Sequence, residues 1–534
     1  MKKSLFAFFI LLFSIINAQT ELVFVYFKDK PNKAVFFSNP TLELSQKSLD
    51  RRTNLGIALN DEDAPIEPTY IQNIKDLGFT VTDYSKWLNG VAIEANATQV
   101  ADLRLKPYVQ KVESFVVHSS VVNKNKYKKT NKFEEFNKNK LSNFNYGNSA
   151  AQIDQVNLRP LHIAGYTGSG ITIAIIDTGF PTVDTGSVYA RIRDNNQIKG
   201  GYNFVNKSSD IYNASLNEHG AFCLGVIAAY VDNSFVGSAP DADFYLYVSE
   251  DADQEIPQEQ LYWIEAAEEA DRKGVDLIST SLGYNQFDDS RYNLLYSDMD
   301  GKTSFIARGA EIAVTKGIFV VVANGNEATK TWHYLITPAD NNKVFSIGAV
   351  TSAGDSSSFS SFGPNANGDI KPDASARGTY TYMGYNNGVT YASGTSFAAP
   401  LAAGGIACLL QAKQNQNREI LKNLLRQNAS LYPNHNDQKG FGILNFGNVL
   451  IQLLSTKEMS ISNHLKIFPN PVKDILNFQT SEKLISLELY DSLGRKIKDL
   501  QPILTINLSN LKTGVYYLKV KTDKKNYIEK FIKE

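Results

Sequence analysis

The sequence contains little cysteine and almost no excess charge. Two cysteines, Cys223 and Cys408, in 534 residues exclude a disulfide-dense scaffold and a cysteine-ligated zinc fold. Lysine and arginine total 54 against 55 for aspartate and glutamate, and this balance argues against nucleic acid as the main partner. Hydrophobic residues make up 43% of the chain, enough for packed cores, and the length predicts three or four domains.

Long apolar runs are also scarce, and the clearest one lies at the N-terminus. Met1-Lys2-Lys3 precedes an almost unbroken apolar run over residues 5–16, and a small residue, Ala18, follows. About 12 apolar residues are too few to span a hydrocarbon layer of roughly 30 Å as a helix. We interpret residues 1–18 as a cleavable secretory signal, with a buried helix as the alternative. We expect no later stretch to be long and apolar enough to span a membrane.

Residues 19–118 alternate strand and helix signals. LVFVYF, WLNGVAIEA and VQKVESF are typical of strands, whereas SQKSLDRRTNLG, EPTYIQNIKDLG and ATQVADLRLKP are typical of helices. The pattern predicts a small α+β domain of the split βαβ kind. Residues 119–146 then hold seven lysines and seven asparagines and no glycine or proline, which indicates an exposed, flexible linker. A basic nucleic-acid-binding patch is the alternative.

Residues 147–454 predict the main domain. Continuous apolar strands (ITIAIID, DFYLYV, VDLISTSL, IFVVVA, VFSIGAV) alternate with helical stretches, so we expect a doubly wound α/β fold with a mainly parallel sheet. Residues 465–534 return to short alternating segments separated by turns, which predict a C-terminal β-sandwich. A carbohydrate-binding sandwich is the alternative there.

Three residues with catalytic chemistry lie at the ends of predicted elements. Asp177 ends a buried strand, where parallel sheets place ligands, although a helix cap is the simpler interpretation. His219 opens a mostly apolar helix, and a structural histidine is its alternative. Ser396 begins a long helix that is apolar all round and therefore buried. A serine there is either an N-cap or a hydroxyl aligned with the positive end of the helix dipole. We expect Pro400 near the first turn of this helix.

Together these residues are more informative than each one alone. A catalytic hydroxyl needs an imidazole to take its proton and a carboxylate to orient that imidazole. Asn326, after Gly325 at the end of another buried strand, adds a side-chain amide that can donate to a developing oxyanion. An ordinary strand-ending turn is the alternative for Asn326.

The sequence resembles the subtilisin-like serine proteases, or subtilases. The blocks IIDTG, HGAFCLG, STSLG, ANGNEA, KPDASARG and SGTSFAAP match the family's blocks in order over residues 147–454. The resemblance implies that Asp177 orients His219, that His219 acts as general base and then acid, and that Ser396 is the nucleophile. It implies an oxyanion hole made by Asn326 and the Ser396 N–H. It also implies two substrate-binding walls, Ser281-Leu282-Gly283 and Ala323-Asn324-Gly325.

The chain departs from the family pattern in places. Ala221-Phe222-Cys223 replace the usual residues after His219, the interval from Asp177 to His219 is longer, and residues 230–237 are shorter than the family's calcium-binding loop. No cofactor is expected for the chemistry. Structural calcium at two acidic clusters is an alternative to solvated insertions. The clusters are Glu250/Asp251/Asp253/Glu255 and Asp288/Asp289/Asp298/Asp300.

The resemblance also gives the flanking regions a purpose. It implies that residues 19–118 are an inhibitory prodomain, and the tail from IFPNPVKDILNF resembles a type IX secretion sorting domain. Protein or peptide substrates, the chain's own prodomain and the secretion machinery are the expected partners of a monomeric, exported endopeptidase. The alternatives are an inactive subtilase that serves as a surface binding module, and an esterase or transpeptidase. We expect Cys223 and Cys408 to be buried thiols, with a disulfide as the alternative.

Overall fold

The computed structural model describes residues 19–118, 146–455, 465–480, 482–491, 495–523 and 526–534. The expected signal at residues 1–18 lies outside these residues, as does all but the last residue of the expected linker. The chain divides into two compact units, Met1–Ser455 and Thr456–Glu534.

The N-terminal part of the first unit is an antiparallel sheet with helices. Its four strands, in the sheet order β2-β3-β1-β4, are β1 (Glu21–Phe27), β2 (Asp83–Ser85), β3 (Gly90–Ala95) and β4 (Val109–Ser114). Its helices are α1 (Lys33–Ser38), α2 (Gln46–Leu55), α3 (Pro68–Asp76) and α4 (Ala97–Arg104). The strand and helix signals of the sequence are thus confirmed, whereas α1 and the short strand β2 carried no signal that we recognised.

The central strand β1 shows why this sheet is hydrophobic on both faces. Side chains alternate along a strand, so successive residues point to opposite faces. Val23, Val25 and Phe27 pack in the core of the N-terminal part itself. Phe24 packs instead in a cluster shared with the main domain, where its ring lies 5.7 Å from that of Phe305. The second face of the sheet is therefore covered by the main domain.

The main domain is built on seven parallel strands. In the order β13-β12-β11-β10-β5-β9-β6 they are β13 (Ala374–Arg377), β12 (Phe345–Val350), β11 (Phe319–Ala323), β10 (Leu277–Thr280), β5 (Thr172–Asp177), β9 (Asp243–Val248) and β6 (Ile198–Asn203). Two hairpins accompany the sheet, β7 (Tyr230–Val231) with β8 (Phe235–Val236), and β14 (Thr381–Tyr385) with β15 (Gly388–Ala392). The predicted doubly wound α/β fold is confirmed.

Helices cover this sheet. They are α5 (Ala150–Gln155), α6 (Arg159–Ile163), α7 (Ala190–Asp194), α8 (His219–Ala228), α9 (Gln258–Lys273), α10 (Phe305–Thr315), α11 (Thr395–Ala412), α12 (Arg418–Gln427) and α13 (Phe446–Ser455). All ten residues of α8 are buried. By length and composition α11 could cross a membrane, which corrects our expectation that no later stretch would qualify. However, 89% of α11 is buried inside the domain, so its apolar surface reflects a central position in the core.

A buried charge network anchors the N-terminal part to the main domain at α2. The guanidinium of Arg52 donates to both carboxylate oxygens of Asp271, at 2.9 and 2.7 Å, and to Asp63 at 2.8 Å. Arg51 also pairs with Asp271 and donates to the Lys316 carbonyl at 3.1 Å. Burial alone would raise the pKa of Asp271, but the two arginines hold it below its ordinary value. The interface therefore buries a paired carboxylate that depends on both arginines.

A second anchor lies where β2 leads into β3. The carboxylate of Glu268 on α9 accepts hydrogen bonds from the Trp87 N–H at 3.0 Å, the Lys86 N–H at 3.2 Å and the Ser85 hydroxyl at 2.5 Å. The two N–H groups are backbone donors that a turn leaves without strand partners. A carboxylate that satisfies several donors at once is well suited to hold such a turn.

The second unit contains two antiparallel sheets. One has the order β16-β17-β20 and the other β19-β18-β21-β22. The strands are β16 (Leu465–Phe468), β17 (Ile475–Thr480), β18 (Leu484–Asp491), β19 (Lys496–Leu500), β20 (Thr505–Asn507), β21 (Gly514–Thr522) and β22 (Asn526–Lys533). Leu476 and Phe478 of the first sheet share one core with Leu487 and Leu518 of the second. The predicted β-sandwich is therefore confirmed.

Gly225→Ala tests the close packing of α8 against β14. A Cβ at residue 225 would lie 2.0 Å from the Gly384 carbonyl oxygen, whereas one at the exposed Gly388 would meet nothing within 4 Å. We expect Gly225→Ala to lower the free energy of unfolding by roughly 1–3 kcal/mol through overpacking. Urea unfolding followed by tryptophan fluorescence measures this, with Gly388→Ala as the control. Equal midpoints for the two variants would contradict the packing.

Candidate active site

Asp177 and His219 meet at the carboxyl edge of the sheet. Asp177 is the last residue of β5 and His219 is the first residue of α8. His219 Nδ1 lies 2.7 Å from Asp177 Oδ1, and the two side chains are only 3% and 1% exposed. A Cβ at Gly220 would lie 2.5 Å from the Gly179 carbonyl oxygen, so glycine at 220 permits this approach. The buried carboxylate of Asp177 is therefore in position to fix the orientation of the His219 imidazole.

Ser396 lies close to this pair, at the start of α11. It is the second residue of the helix, and its hydroxyl donates to the Ser281 carbonyl at 3.3 Å. The ring of the next residue, Phe397, lies 5.7 Å from the His219 ring. At this position the hydroxyl lies among the unpaired N–H groups and the positive dipole of the helix N-terminus.

Pro400 accounts for an unusual arrangement at the Ser396 carbonyl. Pro400 is the sixth residue of α11, beyond the first turn where we expected it. Because proline has no N–H, the helix cannot supply the usual donor to the carbonyl four residues earlier. The Ser281 hydroxyl donates to this carbonyl at 2.8 Å and the Cys223 thiol at 3.4 Å. A side chain of α8 and one that directly follows β10 thus stabilise the backbone at Ser396.

Both cysteines are buried free thiols, so the disulfide alternative is wrong. Cys223 Sγ lies 3.8 Å from His219 Nδ1. Burial, reinforced by the charge of Asp177, raises the pKa of the Cys223 thiol well above its ordinary value. The thiol therefore keeps its proton at neutral pH and remains a donor to the Ser396 carbonyl.

The side chain of Asn326 is held in place by Thr395, the residue before Ser396. Its Oδ1 accepts from the Thr395 N–H and from the Thr395 hydroxyl, both at 2.9 Å. With the oxygen fixed in this way, the amide nitrogen is the end left to donate elsewhere. Asn326 and Ser396 both line one cavity of about 250 Å³.

Five of the six expected wall residues line the same cavity. They are Ser281, Leu282, Gly283, Ala323 and Gly325. Asn324 differs, because it is completely buried and its amide donates to the Ser361 carbonyl at 2.8 Å. The sequence pattern could not distinguish a residue that faces the cavity from one that supports the wall behind it.

Comparison with known proteins gives three matches along the chain. Residues 168–443 match the Subtilase family, residues 22–134 match the Peptidase S8 propeptide domain of Bacteroidota, and residues 466–534 match the Secretion system C-terminal sorting domain. The first match covers more than half of the chain. The chain belongs to the subtilase family.

Several curated subtilisins are similar to this chain. Subtilisin NAT of Bacillus subtilis subsp. natto and subtilisin E of Bacillus subtilis strain 168 are each 30% identical over 305 residues, which cover 55% of this chain and 69% of theirs. The subtilisin of Bacillus pumilus is 30% identical over 305 residues and is matched over 95% of its length. The chain is thus a serine endopeptidase of the subtilase family with a propeptide domain and a type IX sorting domain, and the latter supports its secretion.

The residues that depart from the subtilase pattern repack α8 without separating His219 from Asp177. The Ala221 carbonyl accepts from the Tyr189 hydroxyl at 2.8 Å, and the Phe222 ring meets Tyr385 edge-on at 4.6 Å. The altered helix face therefore contacts β14 and the segment before α7. It gives no support to the interpretation of the chain as an inactive subtilase.

The subtilase calcium loop does not fit the residues present here. The hairpin over residues 230–237 contains one carboxylate, Asp232, whereas calcium takes six to eight oxygen ligands. In the second acidic cluster Asp289 pairs with Arg291, Asp298 with His118, and Asp300 caps the turn that follows it. The first cluster contributes Glu250 and Glu255 to a group of three carboxylates with Glu259. Both oxygens of Glu259 already accept backbone N–H groups, so we assign no calcium site.

Ser281→Ala tests the contact that replaces the helix hydrogen bond at Pro400. Removing the hydroxyl leaves the Ser396 carbonyl with a weaker thiol donor, so we expect about 1 kcal/mol less free energy of unfolding. Urea unfolding in a Ser396→Ala background measures this, with the exposed Ser352→Ala as the matched control. Unchanged stability for Ser281→Ala would show that the contact contributes nothing.

Proposed function

We propose that this subtilase hydrolyses peptide bonds through Asp177, His219 and Ser396, with a covalent acyl-enzyme, and that it is made as an autoinhibited preproprotein. The observation that carries the proposal is the buried 2.7 Å contact between His219 and Asp177, with Ser396 next to it at the start of α11. A nucleophile, a base and an orienting carboxylate are what acyl transfer requires.

In the proposed reaction, the Ser396 oxygen attacks the carbonyl carbon of the scissile bond. Its proton passes to His219 Nε2, while Nδ1–H donates to Asp177 and so fixes the tautomer and stabilises the imidazolium. His219 then gives the proton to the leaving amine, and the acyl group remains on Ser396. A water molecule, deprotonated by His219, hydrolyses the ester and restores the serine.

The oxyanion hole in this proposal consists of the Asn326 amide and the Ser396 N–H. The fixed oxygen of Asn326, anchored to Thr395, supports the amide nitrogen as a preorganised donor. The start of α11 adds a positive dipole that favours the developing negative charge.

The substrate lies between the two walls as an added strand. Ser281–Gly283 follow β10 directly, Ala323 is the last residue of β11 and Gly325 lies just beyond it, so the two walls that line the cavity are continuations of neighbouring strands. Asn324 has a supporting role, because its side chain ties the second wall to Ser361.

The autoinhibition proposal rests on how residues 19–118 are anchored. They bind the main domain through the Arg51/Arg52 network and through Glu268. Their last described residue, His118, lies 2.6 Å from Asp298. We infer that residues 1–18 are the signal, that the prodomain ends near residue 118, and that cleavage within 119–146 frees the peptidase domain, 147–454. Residues 465–534 would then direct export.

Fluorophosphonate labelling tests the nucleophile. We expect label on the wild type and none on Ser396→Ala, whose turnover drops by roughly 10⁶, the loss known for the nucleophile of a subtilisin. Asn326→Leu should keep the label but lower kcat by roughly 10²–10³, again the magnitude known for a subtilisin. A folded wild type that takes no label and cleaves no peptide would contradict the proposal and favour the binding-module alternative.

Asp271→Asn tests the autoinhibition. The change leaves Arg51 and Arg52 buried against an uncharged amide, which weakens docking of the prodomain by up to several kcal/mol. We expect the freshly folded, unprocessed chain to label with fluorophosphonate at least roughly tenfold faster. The exposed Asp232→Asn is the matched control. If Asp271→Asn labels at the wild-type rate, the anchor does not restrict the active site.

A further inference from the structure

The cavity beside Ser396 has a floor between its two walls. Ile336 lines the cavity and is half-buried, whereas its neighbours Leu335 and Thr337 are completely buried in the domain. Of these three consecutive residues, Ile336 is therefore the one whose side chain faces the cavity. Neither of the two expected walls includes this residue.

The side chain of Ile336 lies against both walls at once. A Cβ at Gly283 would lie 2.9 Å from Ile336 Cγ1, and a Cβ at Gly325 would lie 3.1 Å from the same atom. Gly283 belongs to one wall and Gly325 to the other, so a single methylene group closes the space between them. Glycine at both positions permits this close approach. Ile336 therefore forms the floor of the cavity.

Backbone hydrogen bonds on both sides hold the floor in place. The Tyr284 N–H donates to the Thr337 carbonyl at 2.9 Å, and the Thr337 N–H donates to the Tyr284 carbonyl at 3.1 Å. On the other side of Ile336, the Leu335 N–H donates to the Phe362 carbonyl at 2.9 Å. Isoleucine is also β-branched, so rotation about its χ1 is restricted. The floor therefore resists displacement by a large substrate side chain.

The substrate residue that meets this floor is the one that carries the scissile carbonyl. In the proposed reaction its carbonyl carbon bonds to Ser396 Oγ, and its oxygen accepts from the Asn326 amide. Ser396 Oγ donates to the carbonyl of Ser281, the first residue of one wall, at 3.3 Å. Asn326 directly follows Gly325 of the other wall. The side chain of this substrate residue therefore enters the space between the two walls, above Ile336.

We propose that Ile336 restricts the residue immediately on the acyl side of the scissile bond to a small side chain, namely glycine, alanine or serine. The inference rests on the proposed function, because it needs acyl transfer at Ser396 with the substrate between the two walls. A large side chain such as phenylalanine needs the volume that the Ile336 side chain already fills. Additional methylene groups forced into a close-packed site are unfavourable, and a single methylene changes kcat/KM by roughly tenfold or more.

Matched peptides test this selection. Quenched fluorescent peptides of one sequence carry glycine, alanine, leucine or phenylalanine immediately before the scissile bond, and mass spectrometry identifies the bond that is cut. The measurement is kcat/KM for the wild type, Ile336→Val, Ile336→Ala and the control Ile163→Ala. Ile163 is 79% exposed and is not part of the cavity lining, so the control makes the same chemical change away from the site. Fluorophosphonate titration of active sites normalises each preparation.

We expect the wild type to cleave the alanine peptide with a kcat/KM at least roughly tenfold higher than that for the phenylalanine peptide. Ile336→Ala should raise kcat/KM for phenylalanine by roughly tenfold or more and change the value for alanine little. Ile336→Val should give an intermediate ratio, and Ile163→Ala should keep the wild-type ratio. A gain on the large side chain cannot come from partial unfolding, which lowers kcat/KM for all peptides together.

Two results would overturn the selection alone. The first is a wild type whose kcat/KM for phenylalanine equals or exceeds that for alanine. The second is an alanine-to-phenylalanine ratio that stays at the wild-type value in Ile336→Val and Ile336→Ala, or in Ile336→Val alone if the alanine variant does not fold. A wild type that takes no fluorophosphonate and cleaves none of the peptides would instead overturn the proposed function, and the selection with it.

Discussion

The active-site geometry depends on one constraint. Two buried helices must bring their N-termini to the carboxyl edge of one parallel sheet. Helix α8 brings His219 onto Asp177 at the end of β5, and α11 brings Ser396 beside them. The approach requires a residue without a side chain at Gly220. It also requires two donors, the Ser281 hydroxyl and the Cys223 thiol, that replace the helix hydrogen bond lost at Pro400. Packing and chemistry are therefore inseparable in this region.

Much of the main domain could be predicted because its signals are local. Continuous apolar strands between helices predict a parallel sheet, and Asp177, His219 and Ser396 each stand at the end of an element. What could not be predicted depends on neighbours that are remote in sequence. The orientation of Asn324 depends on the Ser361 carbonyl. The environment of Pro400 depends on Cys223, which lies in α8, and on Ser281, which directly follows β10.

The N-terminal part shows the same limit of sequence-based prediction, here for a whole face of a sheet. The run LVFVYF has no polar residue at alternate positions, a pattern that indicates burial on both faces. The sequence contains that signal, but it does not identify the covering surface, which is the main domain. Arg51 and Arg52 look like the charged face of an exposed helix. They are buried because Asp271, more than 200 residues later, lies opposite them.

The Arg52–Asp271 contact ties together two regions of the gene that encode different domains. Either residue, changed alone, removes one charge from a buried network that also contains Arg51 and Asp63, so we expect substitutions at the two codons to be coupled. In a family of such proteases, the propeptide and the peptidase domain should therefore not be freely interchangeable between species. Hybrid genes that join the propeptide of one homologue to the peptidase of another will fold best when these positions match.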